Sequence, residues 1–171
     1  MDTKNTKILA LQKKKLPPQA MDLEEAVLGA LMIDKNAISE VVDILHKDCF
    51  YKESHQEIYD SLTDLFNDAE PIDILTVTDK LKKRGKLKFC GGEIYLAELT
   101  QKVTSSAHIE FHARIIVQKF IQRKLISISS ELISDAFDET TDVIELMDKA
   151  EREIFKITEG NIKKNYTKAN D

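Results

Sequence analysis

From Ala107 to Phe137 the chain reads AHIEFHARIIVQKFIQRKLISISSELISDAF, with neither glycine nor proline. Such a run supports one uninterrupted helix of about 30 residues, roughly 45 Å long at ~1.5 Å per residue. Its apolar residues form two stripes. Ile121, Leu125, Ile128, Leu132 and Ala136 recur at helical spacing, and Ile126, Ile133 and Phe137 lie about 100° away on a helical projection. Ile115, Ile116 and Phe120 widen the apolar surface nearer the start.

After the polar stretch DETT, Asp142 followed by Glu145 marks a second helix through DVIELMDKAEREIFKIT, with Val143, Met147, Ala150, Ile154 and Ile157 on one stripe. The short connection makes the two helices antiparallel neighbours, an extended hairpin. One neighbour cannot cover both stripes of the long helix. Either the rest of the chain folds back over the second stripe or another copy covers it, because a large apolar patch left in water is unfavourable. Self-association through Ile121, Leu125, Ile126, Ile128, Leu132, Ile133 and Phe137 is the expectation.

The remainder is long enough for one small globular unit. With 5 Gly, 3 Pro and no Trp in 171 residues, the chain is poor in the turn residues an all-β fold needs, and the expected class is all-α. Residues 1–18 carry five lysines against one aspartate and end at Pro17–Pro18, which reads as a disordered basic tail. Residues 19–104 read as a helical head of five to six short helices. The first begins at a capping-box-like Asp22/Glu25 and buries Leu23, Val27, Ala30 and Leu31; a second fits NAISEVVDIL with Asn36 as cap. CFY at 49–51 is a buried connection. A third helix fits SHQEIYDSLTDLF with Ile58, Leu62, Leu65 and Phe66 inward. Asp73 caps a helix that Gly85 ends, and a loop through GKLKFCGG leads into EIYLAELTQKV. Residues 105–159 form the hairpin.

Composition narrows the function classes. No apolar run approaches the ~18 residues of a membrane span and no signal-peptide order is present, so a cytoplasmic protein is expected. The net charge of −5 argues against a surface that grips phosphates throughout. Cys49 and Cys90 have no metal-ligand spacing and read as packed thiols. His108 and His112 stand at i and i+4, yet HIEFH is not HExxH and no third ligand is evident. His55 reads as a packing and hydrogen-bonding residue. No catalytic set and no cofactor or metal site is assigned. The cluster Lys82, Lys83, Arg84 and Lys86, with Lys88 and Phe89 beside it, can contact nucleic acid or can form solvated surface where cations complement a helix C-terminus. A stand-alone helical DNA-binding or regulatory protein is the alternative that this cluster and the tail support. A hydrolase would need a residue set not visible here.

LPPQAMDLEEAVLGALMID, FYKESHQEIYDSLTDL, EPIDILTVTDKLKKRGKL, GGEIYLAEL and AHIEFHARIIVQKFIQRKLI follow one another across residues 16 to about 158. In this order and spacing they resemble the N-terminal domain of the DnaB-type replicative helicase family. The resemblance implies a head-plus-hairpin domain forming the collar of a hexameric ring, commonly a trimer of dimers. It implies docking of a DnaG-type primase and of helicase loaders, with Asp22, Tyr95, Ile126 and Leu132 at or near such contacts. ATP and Mg²⁺ would belong to a RecA-like motor domain that also carries most single-stranded DNA contact. That domain is not in these residues: there is no G-x-x-x-x-G-K-[ST] sequence, and GNIKKNYTKAND at 160–171 resembles the start of the family's flexible linker to it.

Overall fold

A computed structural model describes residues 15–103 and 106–161, and most of the basic tail and of the expected linker lies outside them. The described residues form helices and no strand: α1 (Met21–Ile33), α2 (Ala37–Val41), a 3₁₀ turn (Lys47–Cys49), α3 (Glu53–Asn67), α4 (Ile74–Lys83), α5 (Gly92–Gln101), α6 (Ile109–Phe137) and α7 (Val143–Asn161). The all-α class and the bundle-then-hairpin order agree with the sequence reading.

The head is organised around α1. This helix packs against α2, α3, α4, α5 and α6, and it buries Val27, Leu28, Gly29, Ala30, Leu31 and Met32 in sequence. Burial on nearly all sides explains the short continuous apolar run, since a helix with one wet face would alternate. Gly29 sets the closest approach. A Cβ there would lie 2.1 Å from the Leu99 carbonyl oxygen of α5 and 2.6 Å from Val103 Cγ2. Ile58, Leu62 and Leu65 of α3, Val77 and Leu81 of α4, and Leu96 and Leu99 of α5 complete one core with Ile38 and Val41 of α2.

Capping is where local pattern and structure diverge most. The Asp22/Glu25 capping box is not formed: α1 begins at Met21, and Ala20 occupies the N-cap without a side-chain bond. Asp22 instead sits exposed in the first turn, where a carboxylate complements the helix dipole. Asn36 holds the N-cap position of α2 but its side chain caps nothing. That helix is also shorter than NAISEVVDIL implies, ending at Val41 before a turn that still delivers Leu45 to the core. Phe66 is half-exposed rather than inward, and Tyr51 leaves the CFY connection only two-thirds buried. At α4 the expectation holds in full. Asp73 accepts hydrogen bonds from the backbone N–H groups of Leu75 and Thr76, and the Thr76 hydroxyl accepts one from the Asp73 N–H, while Gly85 adopts φ +68° just past the end.

α6 is much longer than the head it packs against. Its buried residues, Ile109, Ala113, Ile116, Val117 and Phe120, all lie in its N-terminal part, so about 25 Å of helix, at ~1.5 Å per residue, continues past Phe120. α7 returns along that projection. Asp142 caps it, accepting from the N–H groups of Ile144 and Glu145.

Gly29→Ala should lower stability by about 1–3 kcal/mol, the usual cost of overpacking a tight contact, despite alanine's better helix propensity. Urea unfolding followed by circular dichroism measures it, and an unchanged or raised midpoint would mean that α1 and α5 separate at little cost.

Candidate functional site

The hairpin carries a large exposed apolar surface. On α6, Leu125, Ile126 and Phe137 are open to solvent; on α7, Val143, Ile144, Met147, Ile154 and Phe155 are, with exposures running from 42% for Leu125 to 71% for Ile144. These values exceed what scattered surface hydrophobics need explained, because the residues share one projecting hairpin. The two expected stripes of α6 are divided differently from the expectation. Ile121, Ile128, Leu132 and Ile133 are half-buried, Ile121 against the head core. Leu125 from the first stripe and Ile126 and Phe137 from the second remain open.

The stripe expected on α7 needs a larger correction. Val143, Met147 and Ile154 do not pack inward. The half-buried residues of α7 are Leu146, Lys149, Ala150, Glu153 and Ile157. An ion pair accompanies Leu146, Ala150 and Ile157 on the inward face: Lys149 Nζ lies 2.7 Å from Asp135 and 3.9 Å from Glu131, both on α6. With Lys149 turned toward α6, residues about 120–240° around the helix face away. The apolar arc of α7 spans about half its circumference, from Leu146 through Val143 to Phe155, and α6 covers only one flank. That width was legible in VIELMDKAEREIF; which flank α6 covers was not.

Arg123 fastens the base of the hairpin to the head. Its Nη1 donates to the Pro18 carbonyl and its Nη2 to the Cys49 carbonyl, each at 2.7 Å. The guanidinium also lies 5.4 Å from the centroid of the Tyr51 ring, and burial lowers its pKa from the ordinary value. One side chain thus ties α6, the entering leader and the CFY connection. Beside it, Lys15, Leu16, Pro17, Tyr51, Leu125 and Ile126 line a mostly apolar groove of about 590 Å³.

The other candidate residues fall into two groups. Tyr95 belongs to a network under α1. Glu24 is sealed from solvent yet satisfied, accepting from the Tyr51 N–H at 2.7 Å and from His55 Nδ1 at 2.7 Å; a carboxylate only accepts, so the proton sits on Nδ1. His55 Nε2 lies 2.7 Å from the Tyr95 hydroxyl, which is also 3.3 Å from Glu25. Burial and the neighbouring Glu25 carboxylate raise the Tyr95 pKa, so its hydroxyl keeps its proton. Gly91, at φ +92°, passes so close to Tyr95 that a Cβ would lie 2.8 Å from that of Tyr95. His55 is therefore a hydrogen-bonding residue of the interior, as its sequence context implies.

The basic cluster is engaged by acids. Lys82 pairs with Glu93 at 2.7 Å, Lys83 with Asp79 at 2.7 Å and Lys86 with Glu57 at 3.2 Å. Arg84 binds both Asp60 and Asp64. A phosphate would have to displace these carboxylates. Among the described residues no group of His, Cys, Asp and Glu could hold a metal ion, and no helix is long and apolar enough to cross a membrane.

Comparison with known proteins gives a consistent picture. The model of the DnaB-like helicase N-terminal domain matches residues 16–118. The chain is 41% identical over 153 residues to the replicative DNA helicase DnaB of Rhodothermus marinus, covering 90% of this chain and 16% of that protein. It is 34% identical over 157 residues to the DnaB of Mycobacterium leprae, covering 91% and 26%, and 34% identical over 149 residues to the replicative DNA helicase DnaC of Bacillus subtilis, covering 87% and 33%. The chain thus spans a third or less of the length of these relatives. Among solved structures, the N-terminal domain of DnaB helicase from Mycobacterium tuberculosis superposes with a TM-score of 0.79 at 33% identity, covering 83% of this chain and 99% of that one. A DnaB-like replicative helicase described with its interactions with primase superposes with a TM-score of 0.67 at 26% identity, covering 81% and 31%.

Arg123→Ala should cost about 1–3 kcal/mol, because two carbonyls lose a charged donor. Arg123→Lys should recover only part of it, since an ammonium lacks the fork that reaches both. Thermal unfolding compares the three proteins, and full rescue by lysine would reduce the tie to simple charge. Tyr95→Phe should also destabilise by about 1–3 kcal/mol by removing the partner of a buried ring nitrogen; a wild-type midpoint in the same assay would free Tyr95 for a docking role instead.

Proposed function

The chain belongs to the family of DnaB-like helicase N-terminal domains, and from that premise we propose that it is the collar unit of a hexameric replicative helicase. In this reading it assembles with further copies through the hairpin and presents a docking tier for primase and helicase loaders. The observation that carries it is the exposed apolar surface shared by α6 and α7. Dimers would form first, with hairpins side by side, and three such pairs would close the ring. Pairing covers at once the flank of α7 that α6 leaves open and the Leu125–Ile126 edge of α6, an arrangement a self-complementary two-fold contact satisfies.

Unwinding itself is assigned to another part of the helicase. The residues here contain no phosphate-binding P-loop, so ATP and Mg²⁺, and most contact with single-stranded DNA, belong to a motor domain outside this sequence. Primase docking is proposed by analogy with the related helicase described with primase. Candidate contacts are Asp22, exposed in the first turn of α1, Ile126 and Leu132 on the projecting helix, and the half-buried Tyr95 beside Glu25. The alternative, a DNA-binding protein using Lys82, Lys83, Arg84 and Lys86, is less well supported because each cation already has a carboxylate partner.

Light scattering after size exclusion, over a concentration series, should give a dimer or higher even-numbered assembly. Ile144→Asp and Ile126→Asp should shift it toward monomer with helical content intact, since burying a carboxylate at an apolar contact is costly. Ile133→Asp, at a half-buried position, should instead weaken the hairpin itself. A strict monomer at high concentration, or assembly indifferent to both exposed-site changes, overturns the hairpin interface.

A further inference from the structure

Tyr95 on the face of α5 and Arg123 at the base of the hairpin are joined by polar contacts that run through the interior. His55 Nε2 lies 2.7 Å from the Tyr95 hydroxyl, and its Nδ1 lies 2.7 Å from Glu24. The other Glu24 oxygen accepts from the Tyr51 N–H at 2.7 Å. Tyr51 ends the connection that grips Arg123: the Cys49 carbonyl accepts from Nη2, and the Tyr51 ring centroid lies 5.4 Å from the guanidinium. Between them, the Phe50 carbonyl accepts from Gln56 of α3. His55 and Glu24 are sealed from solvent, so a partner lost there is not readily replaced by water.

The outermost link is the one that can change. With the Nδ1 proton given to Glu24, Nε2 of the neutral ring is left to accept from the Tyr95 hydroxyl. That hydroxyl carries one proton, and Glu25 stands 3.3 Å away as a further acceptor, itself paired with Lys102 at 2.6 Å. Lys52 lies exposed on the same face, its Nζ 4.5 Å from the Tyr95 ring centroid. A carboxylate brought by a partner would be drawn there by Lys52 and would compete with His55 for the proton.

We propose that the proton of the Tyr95 hydroxyl sets how firmly the hairpin is anchored to the head. Donated to His55, it holds the ring against Glu24, Glu24 against the Tyr51 N–H, and so the connection around Arg123. Taken by a partner's carboxylate, it leaves a buried ring nitrogen unpaired, the ring lets go of Glu24, and the grip on Arg123 loosens. The alternative destinations of one proton are the bistable element, and the coupling runs both ways, so a change at Arg123 reaches His55. Tyr51 and Ile126 line one groove, which changes shape with the connection. None of this depends on what covers the hairpin.

The experiment uses the full 171-residue chain. Tyr95→Phe keeps the ring and removes the proton. Amide hydrogen exchange at Tyr51 should then rise about tenfold or more relative to the buried Leu62, the scale of one lost buried hydrogen bond. The Ile126 methyl NMR signal should move as well. Ile94→Ala, an exposed change on the same helix, should do neither. Arg123→Lys, which keeps the charge near Glu24 but not the fork, should shift the ring nitrogen signals of His55. Exchange that rises equally at Tyr51 and Leu62 is a general loss of stability and overturns the coupling. So does a Tyr51 amide or an Ile126 methyl unchanged by Tyr95→Phe, or a His55 ring unchanged by Arg123→Lys. If Tyr95→Phe does not fold, the Arg123→Lys result decides alone.

Discussion

α6 is sealed at one end and left with a single neighbour at the other. Its N-terminal part packs against α1, α2 and the 3₁₀ turn, giving it a rigid origin in the head core; beyond Phe120 no described residue of α6 is fully buried. The rest of the architecture depends on that difference. The head must be stable enough to hold a lever, and the lever must be covered by something outside the head. The core of α1 meets the first requirement by being packed on nearly all sides, with Gly29 allowing the α5 backbone to approach.

Stability and exposure are partitioned by polar contacts as much as by apolar ones. Arg123 stands where the buried part of α6 gives way to the projecting part, and it ties that boundary to the leader and to the connection before α3. Farther out, Lys149 and Asp135 pair across α7 and α6. An isolated pair of partly exposed charges contributes little to stability. It lies on the face that Leu146, Ala150 and Ile157 turn toward α6, while the other flank of a wide apolar arc stays open. Under α1, the Glu24–His55–Tyr95 chain of hydrogen bonds leaves a buried carboxylate in the first turn satisfied at both oxygens, as a buried acid requires.

Much of this was legible in residues taken singly or in short patterns. Asp73 with Thr76, Gly85 and Asp142 each mark a helix boundary that forms, because caps and left-handed turns are local chemistry. The same rule failed at Asp22, where the chain enters α1 one residue earlier, and at Asn36, where the connection after α1 is already held by Asp34, whose carboxylate accepts from the Asn36 N–H. Nothing in the residues around Arg123 points to the two carbonyls, 105 and 74 residues away, that its guanidinium holds. Nor did the spacing of Lys82, Lys83, Arg84 and Lys86 carry any sign of Glu93, Asp79, Asp60, Asp64 and Glu57 as their partners.

By itself the sequence determined the helical class, the long uninterrupted α6, its antiparallel partner and an apolar surface wider than one neighbour can cover, since these follow from periodicity and from the absence of helix-breaking residues. The order of its local patterns also determined the family. The tertiary structure decided which apolar residues stay open: Ile126, Ile144 and Phe155 rather than Leu132 and Ile133. The physical reason is that periodicity fixes the faces of a helix only relative to one another. The rotation of that helix against its neighbours is decided by tertiary packing, such as Leu146, Ala150 and Ile157 turned toward α6 and Arg123 held by the Pro18 and Cys49 carbonyls.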